Sequence, residues 1–469
     1  IAAPKITPIV TNRDSQSEFL SEIQTSQVQP IEPVFVDYKK DMSQFEAQPG
    51  IDVLYKKNET NDIFTLIYVF NTGTENDPAL NLAFNYLSYL GTDKMTAEEI
   101  ASEMYDIACS FYMNAGANQS SIQITGLSEN MGKAMEIVEG LIAGAKPDEA
   151  ILENCKADML KSRADAKLNQ SRCFGALQRY LFYGGDFIRR TTLTDPALQA
   201  LTSEQLLAKI GGLMGKQHEV LYYGPQKEAE VKSALAEHHK VAADLQPLEK
   251  KFSTLLPTDA NKVVLAQYDA KQLYYLQFSN RGEKFDVAAD PEITLYNEYF
   301  GGGMNTIVFQ EMREARGLAY TAWATLATPS NANGDYSYYA FIATQNDKMQ
   351  KAVEAFDDII NNMPESEKAF GIAKEALVSR LRTERTVKDG VLWSYLRARD
   401  LGLDAPRDKQ IFEKVQSMTL DDVKAAQQKW VKGRKYVYGI LGDIQDLDLN
   451  YLKTLGPIQT VSQEEIFGY

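Results

Sequence analysis

The feature that most constrains this chain is that it repeats itself. Lys133-Ala134-Met135-Glu136 returns as Lys351-Ala352-Val353-Glu354, an offset of 218. Met159-Leu160-Lys161-Ser162-Arg163 returns as Ala376-Leu377-Val378-Ser379-Arg380, at 217. Leu201-Thr202-Ser203-Glu204 returns as Met418-Thr419-Leu420-Asp421, again at 217, and Val220-Leu221-Tyr222-Tyr223-Gly224 as Tyr438-Gly439-Ile440-Leu441-Gly442, at 218. Four matches in order at nearly one spacing indicate two homologous domains of about 215 residues each.

The coarse pattern is the same in both halves. An alternating apolar strand precedes an Asp-Pro helix start, at Asp77-Pro78 and at Asp290-Pro291. Asp accepts from the free N–H groups of a first helical turn, and Pro at that position gives up no hydrogen bond. Glycines then stop both segments, at Gly91 and Gly301. Strands follow, around Ser121–Ile124 and Tyr336–Tyr339, then long helices such as 347–362 and 365–387, and last an apolar strand at 219–223 or 436–441. This order predicts an α+β fold of two homologous domains, each a mostly antiparallel sheet with helices packed on one face. The expected division is a lead-in at 1–37, a first domain at 38–244, a connector at 245–262 carrying Pro247 and Pro257, and a second domain at 263–469. The lead-in has four prolines, Pro4, Pro8, Pro30 and Pro33, around one short amphipathic helix near Glu18–Ile23, and reads as a linker strapped onto a domain surface. The chain opens Ile1-Ala2-Ala3-Pro4 without Met, which suggests a processed product or a piece of a longer chain.

Composition narrows the function. The net charge is −15 and the pI about 4.9, which argues against nucleic acid and against an anionic membrane surface as partners. The longest apolar stretch, Ile63–Phe70, is far short of the ~20 residues of a membrane span. Three cysteines, Cys109, Cys155 and Cys173, cannot make a disulfide framework and are expected as small buried hydrophobes. Histidine is scarce. His218-Glu219 begins a near miss to H-E-x-x-H, but the last position is Tyr222 and the stretch reads as a strand. His238 and His239, adjacent on a polar helix end, are expected as a solvated pair. Gly301-Gly302-Gly303 follows a helix and is succeeded by Met304-Asn305, so it lacks the strand-to-helix setting and Lys-Ser/Thr of a phosphate loop.

The stretch from Gly301-Gly302-Gly303-Met304 through Phe309-Gln310-Glu311-Met312-Arg313-Glu314-Ala315-Arg316-Gly317-Leu318-Ala319-Tyr320 resembles the second-domain signature of pitrilysin/insulinase-type zinc peptidases. That family includes mitochondrial processing peptidases and the core proteins of the respiratory bc1 complex. The resemblance runs through the duplicated layout, over about residues 38–469. In the family's active domain H-x-x-E-H lies on the first helix, two His four apart binding zinc and the Glu activating water. Here the matching positions are Leu82, Asn85 and Tyr86, none a useful zinc ligand near neutral pH. Leu82 and Tyr86 are expected as core positions on a helix.

The resemblance therefore implies the non-catalytic half of a zinc metalloendopeptidase, with no catalytic or metal-binding residue and no cofactor on this chain. The zinc is expected in a partner half bearing H-x-x-E-H, on the same polypeptide or as a separate subunit, with a peptide as substrate. In the family the non-catalytic half supplies an Arg and a Tyr that bind the peptide main chain. Arg313 and Tyr320 match those positions. Arg offers fixed donors to peptide carbonyls, and a Tyr hydroxyl can donate to a developing oxyanion. The competing reading packs Tyr320 in the sheet and pairs Arg313 with a Glu such as Glu314, and Arg316 is the rival arginine. A separate inactive subunit and a structural scaffold like the bc1 core proteins stay open as alternatives. The sequence leaves peptide specificity, oligomeric state and compartment open, with a periplasmic or exported location favoured over a cytoplasmic one.

Overall fold

Two six-stranded sheets are built on one plan in a computed structural model that describes residues 16–27 and 29–469. The first holds β1 (Ser43–Gln48), β2 (Ile51–Lys57), β3 (Ile63–Phe70), β4 (Cys109–Ala115), β5 (Ser120–Leu127) and β6 (His218–Gly224), in the order β1-β2-β6-β3-β5-β4. The second holds β7 (Lys262–Gln267), β8 (Gln272–Ser279), β9 (Thr321–Ala327), β10 (Ser337–Gln345), β11 (Val437–Gly442) and β12 (Ile458–Val461), in the order β12-β7-β11-β8-β10-β9. In each, one parallel pair, β2 with β6 or β7 with β11, adjoins an antiparallel run of three further strands. Only the sixth strand differs. β1 joins antiparallel from before the first unit, and β12 joins parallel from the chain's end.

The repeated sequence blocks lie at equivalent places. Lys133–Glu136 and Lys351–Glu354 fall in the Met131–Gly144 and Met349–Asn361 helices. Thr202 with Gln205 and Thr419 with Asp422 each form a reciprocal cap at a helix start, satisfying two otherwise free N–H groups apiece. The Asp-Pro signals act a turn earlier than the pattern suggests in the first domain. Asp77 accepts from Ala79 N–H at 3.0 Å in a turn, and the regular helix is Leu80–Leu87.

The helices of each domain cover one face of its own sheet. The opposite face is covered by a helix from the other domain, which the sequence did not reveal. Cys173, Phe174, Leu177 and Leu181, on the Gln170–Thr191 helix of the first repeat, pack on Val264, Leu276, Phe341 and Leu441 of the second sheet. In return Val391, Leu392 and Leu396, on the Gly390–Asp400 helix of the second repeat, pack on Leu54, Ile67 and Leu221 of the first. Gly439 makes one of these contacts possible, because a Cβ there would sit 2.2 Å from Leu181 Cδ1. The exchange explains why the central strands β3 and β8 read as near-continuous apolar runs: both of their faces are buried. Each fully buried Leu or Phe of this kind contributes roughly 1.5–3 kcal/mol, so the two domains stabilise one another.

The lead-in divides in two. Phe35 packs on Phe412 of the second domain at 5.8 Å between ring centroids, and Tyr38 joins the core under the first sheet, so residues 35–38 strap across both domains. The Glu18–Thr25 helix instead buries none of its residues. Pro4, Pro8 and the chain start lie outside the described residues. No helix among the described residues is long and apolar enough to cross a membrane. Cys109, Cys155 and Cys173 are buried free thiols.

Candidate functional site

Arg313 and Tyr320 are brought together by a helix that widens before it ends. Thr306 donates its hydroxyl to Gly303 O at 2.7 Å, and a helix begins at Ile307. Ile307, Val308 and Met312 are buried and anchor it. From Gln310 to Ala315 the turn is π-helical, with Arg316 N–H donating to Glu311 O at 3.1 Å. Such widened turns re-aim the side chains they carry. Gly317, at φ +57, then reverses the chain in a conformation costly for other residues. Tyr320 N–H donates to Ala343 O at 2.9 Å, which registers Tyr320 at the mouth of the edge strand β9.

The guanidinium of Arg313 ends up 5.5 Å from the Tyr320 ring centroid and 5.0 Å from that of Phe309. Stacking of a cation on such faces at an exposed site is worth about 0.5–1 kcal/mol, enough to bias its orientation. Tyr320 is 72% exposed, so it does not pack in the sheet. Arg313, 44% exposed in its side chain, touches Glu314 only loosely, at 3.6 Å. Among the described residues it makes no closer ion pair, which leaves its donors available. Arg316 is committed elsewhere: it donates to Asp358 at 3.0 Å and to Glu311 at 3.3 Å. The hydrogen bond to Asp358 is the main reason its guanidinium titrates higher than usual. Phe309 was not singled out from sequence, although its spacing of four from Arg313 on a helix was a usable signal.

The glycine run beside this helix serves packing. A Cβ at Gly301 would lie 2.6 Å from Ala324 O, so only glycine lets the preceding turn close on β9. Asn297 in that turn exchanges two hydrogen bonds of 2.9 Å with Leu326 N–H and O, covering part of the free edge of β9. That limits unwanted strand pairing there.

On the first domain, the slots that would need zinc ligands are filled otherwise. Leu82 is fully buried. Asn85 faces solvent. The Tyr86 hydroxyl donates to Ser203 Oγ at 2.9 Å and accepts from Asp148 N–H at 2.9 Å. These residues do not fit a zinc ion: one has no lone pair, one points away, and one is engaged in the core. Among the described residues no group of three or more His, Cys, Asp or Glu is placed to hold a metal ion.

The histidines differ from expectation in one respect. His218 lies on β6, as the strand pattern suggests. His238 and His239 are not a solvated pair. The end of the Glu228–His238 helix folds over the sheet, burying His239 against Glu139 and His218, while His238 stays at the rim. A polar helix end can be recruited into a core when a buried carboxylate waits for it, and local sequence does not show that.

Residues 217–377 match the family described as the peptidase M16 inactive domain. An uncharacterized zinc protease of Rickettsia bellii is 23% identical over 312 residues, covering 64% of this chain and 70% of that protein. Another, from Streptomyces coelicolor, is 22% identical over 266 residues, covering 53% of this chain and 56% of that one. Among solved structures, a peptidase M16 inactive domain from Pseudomonas fluorescens superposes with a TM-score of 0.67 at 18% identity, over 86% of this chain and 98% of that one. The periplasmic protease PqqL from Escherichia coli gives 0.65 at 14% identity, over 94% of this chain but 49% of that one.

Proposed function

We propose, for a chain that belongs to the pitrilysin/insulinase-type (M16) peptidases through its inactive domain, the role of a non-catalytic half: it closes a peptide-binding chamber against a zinc-bearing half. Arg313 and Tyr320 face the peptide. The observation that carries this reading is their arrangement, an exposed phenol beside an arginine whose donors, among the described residues, are not consumed by any close ion pair. Arg313 holds substrate carbonyls, and the Tyr320 hydroxyl donates to the oxygen on which charge develops. Hydrolysis itself belongs to the partner, because Leu82, Asn85 and Tyr86 leave this chain without ligands. The partner half is part of the same polypeptide or a separate subunit. The likeness to nearly all of one solved chain and to half of another is compatible with both. An exported or periplasmic location goes with this reading, since the similar Escherichia coli protein is a periplasmic protease, and cell fractionation checks it.

Reconstitution is the test. A half bearing H-x-x-E-H is assayed on peptides with and without this chain. Cleavage that needs both supports the role. Full cleavage by the zinc half alone would leave this chain as a scaffold.

A further inference from the structure

We propose that Glu139, His239 and His218 form a proton latch that fastens the root of the interdomain connector near neutral pH and opens it on acidification. The latch lies in the first domain's core, apart from Arg313 and Tyr320, and does not depend on the peptidase reading. His218 Nδ1 is 2.7 Å from Lys216 O, His218 Nε2 is 2.8 Å from His239 Nε2, and His239 Nδ1 is 2.5 Å from Glu139 Oε1. All three side chains are buried.

Hydrogen-bond chemistry fixes the number of protons in this chain. A carbonyl only accepts, so His218 Nδ1 carries hydrogen and donates to Lys216 O. The two facing Nε2 atoms share one proton, held on His239, and His218 Nε2 accepts. The contact to Glu139 holds one more. A further proton on His218 Nε2 sets N–H against N–H, and the 2.8 Å contact is lost. One proton fewer sets lone pair against lone pair. Burial and the neighbouring His239 push the His218 imidazole down to about 4, in keeping with this count.

The charged and titratable surroundings are few. Glu139 comes from the Met131–Gly144 helix, and Tyr68 from β3, its ring 4.1 Å from that of His239. Burial and the Glu139 carboxylate hold the Tyr68 phenol protonated. At the rim His238 lies 3.8 Å from Glu237. Lys240 enters through its backbone N–H, 3.3 Å from Glu139 Oε2, and Lys216 through its carbonyl. Glu219, next to His218, points to the other face of the sheet, to Arg399. The latch ties down both sides of one junction. Gln217 N–H donates to Gln246 O at 2.8 Å and Gln246 N–H to Gly215 O at 2.9 Å, so the loop before His218 holds the connector where it leaves the domain.

The test is hydrogen exchange of amides 239–248 in the full chain, corrected for intrinsic pH dependence, with the strands of the second sheet as reference. In the wild type, opening is expected to rise about tenfold per unit between about pH 6 and pH 4, one proton being taken up. His218→Gln keeps an acceptor for His239 and offers nothing to protonate, so its profile is expected to be flat over that range. Glu139→Leu leaves His239 Nδ1 and the Lys240 N–H buried without a partner, and the connector root is expected to exchange faster than wild type already at about pH 7. A flat wild-type profile, or a His218→Gln slope equal to wild type, overturns the proposal. So does wild-type protection of Glu139→Leu at neutral pH, or loss of protection spread over the whole chain.

Discussion

Arg399 and Glu219, 180 residues apart in sequence, form a two-pronged ion pair across the domain junction: Nη2 donates to Oε2 at 2.8 Å and Nη1 to Oε1. Arg399 ends the exchanged helix of the second repeat, and Glu219 lies on β6 of the first sheet. The next residue, Asp400, accepts from Lys250 of the connector at 2.6 Å. The apolar exchange thus has a polar lock at its rim.

Removing Arg399 should therefore uncouple the domains before it unfolds either one. Arg399→Ala strands a largely buried carboxylate. The expected cost is about 2–3 kcal/mol, less than the ~3–5 of a fully buried pair because Arg399 stays partly in water. Urea unfolding read separately in each domain should show two transitions, where the wild type is expected to show one. A single transition, shifted or not, would mean that the apolar exchange alone couples the domains.

At the candidate site, Tyr320→Phe keeps the ring over Arg313 and removes only a hydroxyl that is 72% exposed with its residue. Stability should change by less than ~0.5 kcal/mol. Turnover of the two-half enzyme should fall by roughly 10²–10³, the scale of losing one oxyanion donor. Arg313→Ala should raise KM and lower kcat, because a ground-state contact goes too. Steady-state kinetics checks both. Wild-type turnover in Tyr320→Phe would return that residue to a surface role.

How much of this was legible follows physical lines. The duplication was legible because helix-start chemistry and buried strands constrain residue type at each site, as at Thr202 and Thr419. The pairing of Arg313 with Tyr320 was legible as a motif, but not its cause, a π-helical turn and a left-handed Gly317. The helix exchange was not legible. The Gln170–Thr191 helix has an apolar stripe either way, and nothing local says whose sheet it covers. His239 was misread for the same reason: its partner Glu139 is 100 residues away.

Stability should also respond to pH through Asp357. Burial, with Glu354 adding to it, pushes its carboxyl up to about 6 from 3.8. The native state then holds a proton that the unfolded chain releases between those values. Stability from this group is full below the unfolded value and lost as pH rises through about 6. Above that the penalty is about 2 kcal/mol, allowing for partial exposure. Asp357→Asn should thus stabilise by about 1–2 kcal/mol at about pH 8 and have little effect at about pH 3. Urea midpoints at both pH values are the measurement. An equal effect at both would show that packing, not titration, governs the site.

Rebuilding H-x-x-E-H with Leu82→His, Asn85→Glu and Tyr86→His should not give a zinc-loaded chain. Leu82 is fully buried, so an imidazole there desolvates a polar ring and leaves poorly filled space, at about 2–5 kcal/mol. Tyr86→His also removes the hydroxyl that links Ser203 Oγ with Asp148 N–H, leaving a helix-start N–H without its partner. That adds about 1–2 kcal/mol. A zinc site needs ligands that are fixed and facing one open position, whereas this helix turns Leu82 and Tyr86 into the core and Asn85 alone toward water. The expected result is a destabilised chain holding well under one zinc after dialysis. Metal analysis, with thermal unfolding in zinc and in chelator, reads it out. One tightly held zinc with a matching rise in Tm would show that the core around this helix can rearrange to accept the ligands.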